Sequence, residues 1–116
     1  MNALAEWVRQ VEAACADGRP EPLAIVRLLR QVPPHTRGRL AEVVRRTRWS
    51  YGYVSSLSWL ASHLAEDAQR DEVSLKTQFA VSGLPVEQQR RRLAEAATEG
   101  LTSAALCRRI NAEVGR

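Results

Sequence analysis

A chain of 116 residues with a hydrophobic fraction of 45% can bury one modest core and is too apolar to stay disordered. Its formal charge of +4 admits a nucleic-acid partner without demonstrating one. Aromatic residues make up only 5%, no Asn-Gly or Asp-Gly turn joins two alternating runs, and apolar residues recur at helical spacing, which together predict an all-α fold.

Leu4, Trp7, Val8, Val11, Ala14 and Cys15 fall on one helical stripe that Gly18 ends. A second helix is predicted over Glu21–Val32, opened by Pro20 and Pro22 and stopped by Pro33-Pro34. A third runs from Thr36, the expected N-cap, to Thr47, with Leu40, Val43 and Val44 inward. After a break at Arg48-Trp49, Ser50 caps a fourth helix to Leu64 on the stripe Val54, Leu57, Leu60 and Leu64. Glu66–Glu72 reads as a polar loop, and Val73–Ser82 as a helix ended by Gly83. Pro85 opens a sixth helix with Val86, Gln89, Leu93, Ala96 and Ala97 on one side and Gly100 at its end. Thr102 or Ser103 caps the last, which carries Leu106 and Ile110. This organisation is one compact multi-helix domain in three parts: a helical pair at 1–34, a helix-turn-helix at 35–66 and supporting helices at 67–116.

Charge is unevenly spread. From Arg27 to Arg48 there are seven arginines against one acid, Glu42. A solvated basic face is the alternative to a phosphate-binding one. Cys15 and Cys107 each lie in a helical pattern and are expected as buried free thiols rather than a disulfide or metal site. No charged-then-apolar leader and no bilayer-length apolar run is present, so a cytoplasmic protein with no membrane partner is expected.

The segment Val43–Leu57 meets the spacing demands of a helix-turn-helix, in which a short turn joins two steeply crossing helices. Val43 and Val44 face inward, Trp49 lies in the turn, Ser50 caps the second helix, and Val54 and Leu57 face back. That leaves Ser50, Tyr51, Gly52, Ser55 and Ser56 at the leading outer face, where base edges would be read. Arg37, Arg39, Arg45, Arg46, Arg48 and Tyr53 are the expected phosphate contacts. Arg48 stands where such turns usually carry glycine, and Val44 where alanine is usual. The alternative is an ordinary pair of packed helices.

The stretch Ser50–Leu60 resembles the recognition helix of the ParB/KorB family of partition proteins and regulators, written Ser-x-x-Tyr-Val-Ser-x-Leu-x-x-Leu. Val73–Ala80, Leu84–Gln89 and Glu99–Leu106 are similar to three further segments of that family in the same order. The resemblance covers about Leu40 to Ile110 and implies an all-α fold with DNA contacts from the recognition helix. The family's nucleotide-binding domain and its Gly-Glu-Arg-Arg type motif have no counterpart here, nor does its C-terminal dimerisation domain. Nucleotide hydrolysis is therefore not carried over, and a freestanding DNA-binding module is expected.

Arg90, Arg91 and Arg92 offer a second basic patch, or a solvated helix face paired with Glu87 or Glu95. Trp7 and Trp49 are expected in packing and Trp59, off the stripe, as an exposed contact. His35 and His63 read as surface residues. No catalytic set, metal-ligand spacing or cofactor loop emerges, so the chain is not expected to be an enzyme or to use a cofactor. The expected partner is double-stranded DNA, bound by a homodimer as a regulator or partition-type factor of a mobile element. A helical adaptor or antiactivator with a protein partner is the alternative, and structured RNA a third.

Overall fold

The computed structural model describes residues 3–114 and is all-α, with seven helices and no strand among the described residues. The helices are α1 (Ala3–Ala14), α2 (Pro22–Arg30), α3 (Arg39–Thr47), α4 (Tyr51–His63), α5 (Leu75–Val81), α6 (Val86–Glu99) and α7 (Ser103–Val114). No helix among them is long and apolar enough to cross a membrane. Where the sequence suggested three parts of one domain, the chain divides into two compact units between Ser62 and His63.

In the first unit α1 packs on α2 and α3. Trp7 and Val11 of α1, Ile25, Val26 and Leu29 of α2, and Val43 of α3 are buried. Each is an apolar position of an amphipathic stripe, so burying the stripes together is the driving force. The Trp7 indole N–H donates to the Leu28 carbonyl at 2.6 Å, which lets a large ring enter the core without an unmade hydrogen bond. Pro22 opens α2 at a position whose N–H has no helical partner.

The start of α3 departs from expectation. Thr36 is not its N-cap. The helix begins three residues later, behind Gly38, whose φ of 80° suits a residue without Cβ. The shift brings Arg39 into the core at 2% exposure, while Leu40 is only half-buried. Arg39 Nη1 donates to the carbonyls of Leu29 and Val32, each at 2.7 Å, and Nη2 donates to Ser58 Oγ. One guanidinium thus bonds the last turn of α2 and the segment just after it, where a cation is favoured by the helix dipole, and ties α3 to α4. Desolvation pulls its pKa below the usual arginine value.

In the second unit α5 packs on both α6 and α7. Ser74 caps α5, its Oγ accepting from Thr77 N. Two buried glutamines organise the loops. Gln89 Nε2 donates to the carbonyls of His63, Ser82 and Leu84, and its Oε1 accepts from Ala65 N. Gln78 Nε2 donates to the carbonyls of Arg70 and Val73. The segment at 66–72 is therefore less of a polar surface loop than its composition suggests, because Ala68 and Gln69 are buried. Val86, expected inward, is exposed. Gly100, with φ 65°, ends α6, and Thr102 Oγ1 accepts from Ala105 N to cap α7. Cys15 and Cys107 are free and half-buried rather than buried, and burial pushes the Cys15 thiol up against a smaller opposing pull from Arg46.

Ion pairs join α6 and α7. Arg92 is buried and bonded to Glu113, with Glu95 at 3.3 Å. Arg109 meets Glu99 at 2.8 Å and Glu95 at 3.3 Å. These arginines hold the carboxyls of Glu99 and Glu113 below the usual range.

Replacing Arg39 with methionine keeps the apolar stem but leaves the carbonyls of Leu29 and Val32 and the Ser58 hydroxyl without their donor. Urea unfolding should show a loss of about 2 kcal/mol. In the second unit, carboxyls with depressed folded pKa values contribute stability that is present at neutral pH and lost as pH falls through those values. The urea midpoint should drop below about pH 4, and Glu113→Gln should lower it at neutral pH while flattening that acid dependence.

Candidate nucleic-acid interface

Three residues, Arg48, Trp49 and Ser50, join α3 to α4. Arg48 is left-handed, with φ 64° and ψ 15°, and is the one non-glycine residue with positive φ among the described residues. The turn therefore takes the conformation that glycine would supply, at a cost of about 1 kcal/mol for a residue with Cβ. Local hydrogen bonds hold it. Arg48 N donates to Val44 O at 2.8 Å. Thr47 Oγ1 donates to Val43 O at 2.7 Å and accepts from Trp49 N at 3.2 Å. This threonine latch was not singled out from sequence, although a hydroxyl one residue before a turn is the type of group that supplies it.

Ser50 opens α4 as expected. Its Oγ accepts from Tyr53 N at 3.1 Å and its carbonyl accepts from Val54 N at 3.1 Å. Val54, Leu57 and Leu60 are fully buried, which turns the opposite side of the helix outward. Tyr51 is 62% exposed, and Ser50, Gly52 and Ser56 are exposed beside it, with Ser55 half-buried. Ser56 Oγ donates to the Gly52 carbonyl at 3.1 Å, so its proton is engaged within the helix and its lone pairs face outward. Tyr53 is half-buried, its ring edge-on to Trp49 with centroids 5.0 Å apart. Burial raises its phenol pKa, so the hydroxyl stays a neutral donor.

The arginines expected at phosphates separate into three groups. Arg37, Arg45 and Arg48 are exposed. Arg46 is drawn between Glu42, at 2.9 Å, and Glu12, at 2.7 Å. Arg39 is removed from the set, since it is buried and bonded to the carbonyls of Leu29 and Val32 and to Ser58. Glu42 bonds both Arg46 and Arg45, and these two hold its carboxyl low, Arg46 more strongly.

Arg90, Arg91 and Arg92 do not form a second basic patch. Arg90 pairs with Asp67 at 2.8 Å and with Glu87 at 3.5 Å, Arg91 pairs with Glu95 at 3.3 Å, and Arg92 is buried. Successive helical positions point about 100° apart, so three consecutive arginines cannot share one face. Trp59 is 45% exposed and Trp7 is buried. No group of three or more His, Cys, Asp or Glu among the described residues could hold a metal ion.

Arg48→Gly should relieve the left-handed backbone and raise stability by about 0.5–1 kcal/mol in urea unfolding. A loss of stability would show that the arginine side chain contributes more than the backbone strain costs. Comparison of the chain with protein-family models, with curated proteins and with solved structures finds no match.

Proposed function

We propose that this protein binds double-stranded DNA sequence-specifically, with α3, its turn and α4 acting as a helix-turn-helix of the ParB/KorB type. The observation that carries the reading is the leading end of α4. Its capped first turn exposes Tyr51 and Gly52 while Val54 and Leu57, one turn on, are fully buried. A helix anchored on one side and open at its N-terminal end has the form that enters a major groove. Tyr51 and the serine hydroxyls supply hydrogen-bonding groups for base edges, and Gly52 leaves room for close approach. Arg48, in the turn directly before that end, is exposed, and Arg37 and Arg45 are exposed cations of the same unit, Arg45 while paired with Glu42; these offer positive charge for phosphates. The left-handed Arg48 adds support, because it gives the turn its usual backbone despite the unusual residue.

In this reading the protein is a transcriptional regulator or partition-type factor and not an enzyme. One such helix spans few base pairs, so a homodimer on two-fold-related half-sites is the working assembly. The adaptor alternative rests on one observation. Trp59, eight residues beyond Tyr51 on α4, is 45% exposed and would suit an apolar partner surface.

Selection from a random duplex pool at near-physiological salt should return a defined, two-fold-related sequence. Arg37, Arg45 and Arg48 together replaced by alanine should weaken binding to all duplexes and reduce the salt slope by roughly one unit for each phosphate no longer neutralised. Tyr51→Ala should instead relax base preference by about 1–3 kcal/mol at its own position. Unchanged affinity in the triple variant, or no duplex binding at low salt, defeats the proposal. Capture of a protein partner that Trp59→Ala abolishes would then favour the adaptor.

A further inference from the structure

A cleft of about 440 Å³ lies at the end of α2, bordered by Pro33 and Pro34 and by Ala61 and Ser62 at the end of α4. Leu29, Val32, the two prolines and Ala61 make its walls apolar. Among the described residues its polar lining is Arg30, Gln31, Arg39 and Ser62. The DNA-binding reading uses none of these groups.

The contrast between the two deeply buried arginines makes this cleft distinctive. Arg92 is met by Glu95 and Glu113. Arg39 is equally buried, yet its three acceptors are two carbonyls and a hydroxyl, all neutral. A desolvated cation held by dipoles alone leaves a positive potential in its surroundings, and low local polarity strengthens the attraction for an anion. Arg30, half-buried at the cleft, adds a second guanidinium. Two guanidiniums beside an apolar wall are the recognition chemistry of an anionic group on a hydrocarbon body.

We propose that this cleft binds a small organic carboxylate, its charged end toward Arg30 and Arg39 and its apolar body against Leu29, Val32 and the proline pair. Inorganic phosphate makes no use of the apolar wall, and an ammonium of the same shape is repelled. The site is independent of whether the protein binds DNA.

Thermal unfolding of the full chain with hexanoate, hexylammonium or inorganic phosphate, at matched ionic strength, tests this. Hexanoate at ten times its Kd should raise Tm by about 3–6 °C, and the other two should not. Amide shifts on titration should be confined to 29–34 and 58–62. Arg30→Glu should keep the fold and lose the hexanoate response, whereas Arg19→Glu, the same charge change on an exposed residue outside the cleft lining, should retain it. The proposal is overturned by no response to millimolar hexanoate, by an equal response to phosphate or hexylammonium, or by a response that survives Arg30→Glu.

Discussion

A guanidinium withdrawn from water must exchange its hydration for acceptors that are already in place. Arg39 makes that exchange with the Leu29 carbonyl of α2, the Val32 carbonyl just beyond it and the Ser58 hydroxyl of α4. The bonds run between elements separated by 7 to 19 residues in the chain, so they form only when α2, α3 and α4 have met. Apolar stripes alone would allow these short helices to slide or rotate against one another. A planar donor with fixed directions does not, because each displacement leaves a buried carbonyl unpaired. The position of α4, and hence of its exposed leading end, depends on this tie.

The turn after α3 follows the same logic on a smaller scale. Arg48 occupies a backbone region that disfavours side chains. It is held there by the α3 C-cap bond and by Thr47, whose hydroxyl bridges Val43 O and Trp49 N. The edge-on packing of Trp49 on Tyr53 then fixes the start of α4 from the other side. Local strain is thus offset by bonds and packing between Val43 and Tyr53, and the side chain that carries the strain stays exposed with its charge at the surface.

Charge in this protein has two fates. In the second unit most arginines meet carboxylates across or along helices, as Arg90, Arg91, Arg92 and Arg109 do. In the first unit Glu42 and Glu12 engage Arg46, and Glu42 also reaches Arg45, but Arg37 and Arg48 remain at the surface. A count of positive residues along the chain therefore overstates the unmatched positive charge of some segments. What matters is the residue left over once neighbouring acids have been matched.

The all-α architecture, the order of the helices and most of their apolar faces were legible in the sequence, since helical periodicity and capping residues act within a few positions of one another. Ser50 as a cap and Val54, Leu57 and Leu60 as a buried face are of this kind. The same local rules could not decide which polar residues enter the core. Arg39 and Arg92 read as surface cations and Thr36 as a cap, because nothing nearby in sequence marks the carbonyls of α2, the carboxylate of Glu113 or the later start of α3. Gln89 lay on an apolar stripe, a visible hint, yet its four partners come from two separate segments, 63–65 and 82–84. Burying a polar group is favourable only when distant acceptors converge on it, and that convergence was decided by tertiary structure alone.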